Sequence, residues 1–187
     1  MDAVVGGVAV LERAIAYALG SLALVTPSQL ARPTPCARWD LHDLLEHLGD
    51  SMAALHEAAD TGRVALTPAA RPEGVIPQVR DQAVGLLGAW SNVNGEFPVR
   101  VEEAPLSAPL TAAAGAIEVT VHGWDVAQAC GSPRPIPAGL AEELLDLSVL
   151  MIRPWDRPGR FLPPLRPPPG AAAGDRLLAF LGRGQFT

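Results

Sequence analysis

The stretch from Gly115 to Gly131, Gly-Ala-Ile-Glu-Val-Thr-Val-His-Gly-Trp-Asp-Val-Ala-Gln-Ala-Cys-Gly, limits the fold most tightly, because it sets polar groups inside an otherwise apolar run. Glu118 and His122 stand four positions apart. At about 100° per residue a helix brings them one turn apart on the same face. Thr111, Ala114, Glu118, His122, Asp125 and Ala129 then share one strip, while Ile117, Val121, Trp124 and Gln128 share another. The first strip is mainly small residues and leaves room beside its polar groups. Burying either Glu118 or His122 unpaired costs on the order of several kcal/mol, so each needs a partner. An ordinary hydrogen-bonded Glu–His pair meets that need, and so does a divalent metal. Two ligands do not make a catalytic zinc site, which takes three protein ligands and keeps a position open. The metal reading therefore needs a third donor from elsewhere in the chain.

At 187 residues, 49% of them hydrophobic, the chain is long enough for one domain with a sizeable core, and a single domain over residues 1–187 is expected. A net charge of −6 with scattered arginines argues against nucleic acid or an anionic membrane as the main partner. The apolar segment from Val4 to Val25 lacks a basic lead-in and a small-residue cleavage site, and Glu12 and Arg13 interrupt it, so it reads neither as a signal peptide nor as a span. Cys36 and Cys130 are too few for a disulfide framework. A cytoplasmic location follows as the expectation.

Val4, Val8, Leu11, Ile15, Ala18, Leu22 and Val25 recur at helical spacing, which predicts a first helix over Ala3 to Val25. Prolines at 33 and 35 make Ala31 to Trp39 a defined loop. Asp40 is an N-cap, with Asp43 in the first turn, for a second helix reaching about Asp60. Its core stripe is Leu41, Leu44, Leu45, Leu48, Met52 and Leu55; His47 lies on the flank in line with Ser51, Ala54 and Ala58, a second small-residue strip. Thr61 to Pro77 reads as loop, Gln78 to Trp90 as a third helix, and Ser91 to Pro109 as a long connection. A fourth helix covers Leu110 to Ala129 and a fifth Ala138 to Ile152. Pro154 to Gly170 is proline-rich and must be held by packing against the bundle rather than by its own hydrogen bonds, and a short sixth helix runs from Asp175 to Gly182. The fold class is all-α, a four-helix bundle with C-terminal additions.

Three segments resemble one family. Thr34-Pro-Cys-Ala-Arg-Trp-Asp-Leu-His-Asp-Leu-Leu-Glu-His47-Leu is similar to the T-P-C-x-x-W-D-v-x-D-L-x-x-H-l opening of the mycothiol-dependent maleylpyruvate isomerase-like proteins, metal-binding bundles of the DinB/YfiT superfamily. Glu118-Val-Thr-Val-His122-Gly-Trp-Asp-Val-Ala-Gln-Ala-Cys-Gly131 resembles their E-x-x-x-H-x-W-D-l-A-x-A-t-G segment, and Asp175-Arg-Leu-Leu-Ala-Phe-Leu-Gly-Arg183 the ending of their short, single-domain branch. The resemblance implies a DinB-like bundle whose metal ligands are His47, Glu118 and His122, holding zinc or alternatively nickel. It further implies mycothiol as the thiol cosubstrate. His42 stands where the family often has Arg, and Cys130 where it has Thr or Ser. Full-length isomerases carry a separate C-terminal domain that this resemblance does not include, and maleylpyruvate is not carried over as substrate.

A cation with an open position holds a thiol as thiolate well below its free pKa of about 8.5. The expected activity is thus a divalent-metal-dependent mycothiol transferase or isomerase acting on a small electrophilic metabolite. Its partners are that substrate and a low-molecular-weight thiol, and a homodimer stays open as the assembly. Asp125 either orients His122 from behind or makes a helix-to-loop hydrogen bond. Cys36 and Cys130 read as structural thiols, Trp39 and Trp124 as core anchors, and His56 as a surface residue. The competing class keeps the bundle but uses its cavity without metal, as a ligand-binding protein or a small-molecule tailoring enzyme.

Overall fold

The computed structural model describes residues 2–36, 38–64, 74–90, 93, 98–101, 104–158 and 160–184. The chain divides into two compact units, Met1–Arg134 and Pro135–Thr187. In the first unit α1 (Asp2–Leu22), α2 (Leu41–Thr61), α3 (Val75–Leu86) and α4 (Ala108–Ala129) form the bundle. Helix α4 packs on α1 and α2, and α3 also packs on α1 and α2, so the four close a ring around one core. No helix among the described residues is long and apolar enough to cross a membrane.

Helix α2 starts where its sequence asks it to. The Asp40 carboxylate accepts from the Asp43 backbone N–H at 3.0 Å, and the Asp43 carboxylate accepts in return from the Asp40 N–H at 3.4 Å. The helix stops at Gly62, whose φ of 68° is left-handed and open to glycine without strain. Between them Leu41, Leu44, Leu45, Leu48 and Met52 are fully buried. Helix α4 is buried on nearly every face, as its all-round apolar composition requires. Its close approach to α1 depends on Gly123, where an added Cβ would lie 3.1 Å from the Ala18 Cα. The α4 C-terminus is closed by Arg32, which donates to the Cys130 carbonyl at 3.1 Å.

Two expectations shift. Helix α3 begins earlier and ends earlier than the Gln78–Trp90 reading, with Trp90 buried in the turn that follows. The Ser91–Pro109 connection holds two short antiparallel strands, β2 (Pro98–Val101) and β3 (Ala104–Ser107), and β1 (Arg63–Val64) pairs parallel to β2. Four-residue strands carrying Pro98 and Pro105 show too few alternations to read from sequence. Parts of the Thr61–Pro77 loop and of this connection lie outside the described residues. Strand β3 leads directly into α4 and so fixes where that helix begins.

The second unit contains α5 (Ala138–Met151) and α6 (Ala173–Phe180). Its proline-rich segment departs from the expectation, because it makes hydrogen bonds of its own and to α6. Arg157 donates to the carbonyls of Leu162 and Phe180 and lies over the Phe180 ring, while the Leu165 N–H donates to the Ala179 carbonyl at 2.8 Å.

Candidate metal centre

Helices α2 and α4 cross so that His47 on one meets Glu118 and His122 on the other. His47 Nε2 lies 2.6 Å from Glu118 Oε1, and His122 Nε2 lies 3.2 Å from the same oxygen. All three donor atoms fall within 4.8 Å of one another. The small-residue strips account for the convergence: an added Cβ on Gly115, one turn before Glu118, would collide with the Leu55 side chain of α2 at 2.6 Å. Ser51, one turn after His47, adds its hydroxyl to Glu118 Oε1 at 3.4 Å.

The set is open on one side and buried on the other. The side chains of His47 and Glu118 are 38% and 34% exposed, whereas that of His122 is 8% exposed. Asp125, one turn beyond His122, is fully buried, and its Oδ2 lies 3.0 Å from His122 Nδ1. A carboxylate there accepts the Nδ1 proton and orients the ring so that Nε2 faces Glu118. Of the two readings of Asp125, the structure has the contact to His122. Burial alone would push the Glu118 carboxyl up, but the charge of His122 and the hydrogen bonds from His122 and His47 outweigh it, and the carboxyl sits well below the usual carboxylate range. For His122 burial pulls down, and the Glu118 charge, with bonds to Asp125, Cys36 and Glu118, raises it well above its ordinary value.

The donor chemistry fits a borderline divalent cation. Two imidazole nitrogens and one carboxylate oxygen are the ligand types of catalytic zinc sites, and nickel accepts them as well. Tetrahedral ligands about 2.0 Å from an ion are separated by about 3.3 Å, close to the His122–Glu118 spacing.

Two residues read as structural stand beside this set. The loop before α2 is closed by a bridge between Pro33 and Asp40 and by the Thr34 hydroxyl, which donates to the Trp39 carbonyl at 2.9 Å. Trp39 is half-buried rather than a core anchor, its ring centroid 4.6 Å from that of His47 and 6.1 Å from that of His122. Cys36 Sγ approaches Asp125 Oδ2 at 3.4 Å and His122 Nδ1 at 4.0 Å. The available signal was the proline-framed loop running straight into the cap of the His47 helix. Other expectations stand: Trp124 is core, and burial pushes the Cys130 thiol up against the opposing charge of Arg32. His56 pairs with Asp60 at 3.2 Å on an accessible part of α2. His42 clusters with Asp40 and Asp43, whose carboxylates close the helix cap.

Comparison with known proteins bears on this arrangement. A family model described as the mycothiol maleylpyruvate isomerase N-terminal domain matches residues 11–127. Uncharacterized proteins from two strains of Mycobacterium tuberculosis, CDC 1551 and H37Rv, are each 30% identical over 169 residues, which span 87% of this chain and 89% of theirs. Among solved structures, the crystal structure of the mycothiol-dependent maleylpyruvate isomerase is similar at a TM-score of 0.53 and 16% identity, over 76% of this chain and 67% of that one. That likeness is one of fold. The family match takes in both helices that carry His47, Glu118 and His122, and on that match the chain belongs to the mycothiol maleylpyruvate isomerase N-terminal domain family.

Proposed function

We propose that the protein is a divalent-metal-dependent thiol transferase or isomerase that uses mycothiol on a small electrophilic metabolite. The observation that carries the reading is the convergence of His47 Nε2, Glu118 Oε1 and His122 Nε2 from two helices, with the exposed edges of His47 and Glu118 facing outward. His47, Glu118 and His122 would hold zinc, or alternatively nickel. A bound divalent cation supplies Lewis acidity and open positions at which a thiol is stabilised as its thiolate.

The remaining work falls to the chain. Asp125 keeps His122 in one tautomer and one orientation, so its Nε2 lone pair stays aimed at the centre. Trp39 packs against the His47 ring and lends the site an apolar wall. The family relationship supports mycothiol as the thiol, because the family's named member is mycothiol-dependent. It does not name the electrophile.

Elemental analysis of the untagged full-length chain tests the reading, on wild type and His47→Ala after dialysis without chelator. A difference of about one equivalent of zinc or nickel between wild type and variant, present in the first and lost in the second, is the expected result. Mycothiol consumption with candidate electrophiles then follows, dependent on the same residues. A wild-type chain that takes up no zinc, nickel or cobalt would overturn the thiolate mechanism and leave Glu118 and His122 as a buried polar pair.

A further inference from the structure

The imidazole of His122 has two nitrogens, of which the site described above takes only Nε2 as a ligand atom, with Nδ1 hydrogen-bonded to Asp125. Around Nδ1 stands a separate donor set. Asp125 Oδ2 is 3.0 Å from Nδ1, Cys36 Sγ is 3.4 Å from that oxygen, and Sγ is 4.0 Å from Nδ1. Tetrahedral zinc with bonds of about 2.0 Å to nitrogen and oxygen and about 2.3 Å to sulfur sets its ligands about 3.3 Å (nitrogen to oxygen) and about 3.5 Å (sulfur to either) apart. The observed triangle departs from these edges by no more than about 0.5 Å, so seating an ion needs only side-chain adjustment.

We propose that Cys36 Sγ, His122 Nδ1 and Asp125 Oδ2 form a second, thiolate-containing seat for a zinc-class divalent cation, joined through the His122 ring to the His47, Glu118 and His122 set. Thiolate selects a borderline or soft ion such as zinc, cobalt or cadmium over magnesium or calcium. Asp125 is fully buried and Cys36 only half-buried, which gives the seat a closed floor and an approach from the loop side. The two protein elements involved are independently fixed: α4 by burial on nearly every face, and the loop by the Thr34 hydroxyl and the Pro33–Asp40 bridge. Binding releases both the Cys36 thiol proton and the His122 Nδ1 proton to solvent, Nε2 keeping its own proton while the first set holds no ion, and metal–ligand bonds replace the Nδ1–H hydrogen bond to Asp125. With both seats filled, His122 bridges the ions as an imidazolate, its remaining ring proton also released to solvent. The second seat stands on its own donors and does not depend on the first being filled.

The test is a cobalt(II) titration of the purified full-length chain under reducing conditions after dialysis against a chelator, with helicity followed by circular dichroism. Absorption from thiolate-to-cobalt charge transfer reports Cys36, and total cobalt reports stoichiometry. The expected result is about two equivalents, one of them accompanied by the thiolate band. Cys36→Ser then removes the band and lowers the stoichiometry to about one, Asp125→Asn weakens the band, and Cys130→Ala leaves both readings unchanged. His47→Ala keeps the band and loses the other equivalent. Absence of the thiolate band, or a band that survives Cys36→Ser, would overturn the proposal. A single equivalent without the band refutes the second seat alone. A single equivalent with the band refutes instead the site at His47 and leaves the Cys36 seat standing.

Discussion

Raising the pH should leave the one tyrosine of the chain protonated long after a free phenol has ionised. Tyr17 is 5% exposed on α1, and its hydroxyl donates to the Arg134 carbonyl at 2.8 Å. Burial is the main cause of its shift and the Asp125 charge adds to it, while the Arg134 guanidinium and the Ser21 hydroxyl oppose it; the phenol is pushed from 10.0 up to about 12. Between those values the folded chain keeps a proton that the unfolded chain has lost, so stability falls as pH rises through that window. The full difference comes to about 3 kcal/mol, complete only above the folded value. Because the chain has one tyrosine, ultraviolet absorbance of phenolate follows this group alone. Tyr17→Phe supplies the control: it costs about 1 kcal/mol at neutral pH through the lost hydrogen bond, and lacks the alkaline loss. A phenolate signal with its midpoint near 10 in the folded protein, or a wild type and variant whose stabilities run parallel through the window, would refute the reasoning.

Two further outcomes follow from the packing. Asp40→Ala removes the oxygen that accepts the Asp43 N–H and should cost about 1 kcal/mol in urea unfolding, with an unchanged denaturant slope; no loss would mean the cap is replaced by water. Gly123→Val pushes methyl groups into Ala18 and Tyr17 of α1 and should cost about 2 kcal/mol, whereas Gly139→Ala, at a position with open space, should be neutral or mildly stabilising; thermal unfolding of the two variants decides it.

Much of the bundle was legible because its strong signals are local. Asp40 with Asp43, the leucine stripe behind them and the all-round apolar run ending at Gly131 each specify a helix without reference to the rest of the chain. The short sheet was not legible, since β3 pairs only with β2, β2 needs β1 and β3 beside it, and β2 and β3 carry prolines that argue against strands. At the candidate centre, the helical period puts Glu118 and His122 on one face, and His47 on a matching strip, but periodicity does not tell which strips meet. Their meeting depends on how α2 crosses α4, which Gly115 and Leu55 determine at close range. Cys36 and Trp39 were harder still. They lie in a loop with no period, and their approach to His122 and His47 follows from hydrogen bonds of Thr34 that sequence alone does not rank.

His47 and Glu118 touch across a sequence separation of 71 positions. Helix α2 brings one donor and α4 brings two, so neither helix contains the centre when formed by itself. Closing a loop of that length carries an entropic cost that local helix formation does not meet; it is offset only when the two helices dock. Assembly of the donor triangle therefore belongs to the last, tertiary stage of folding. If the trio holds an ion as proposed, a chain with full helicity but slack packing would fail to take it up, and ion uptake would then gauge native docking.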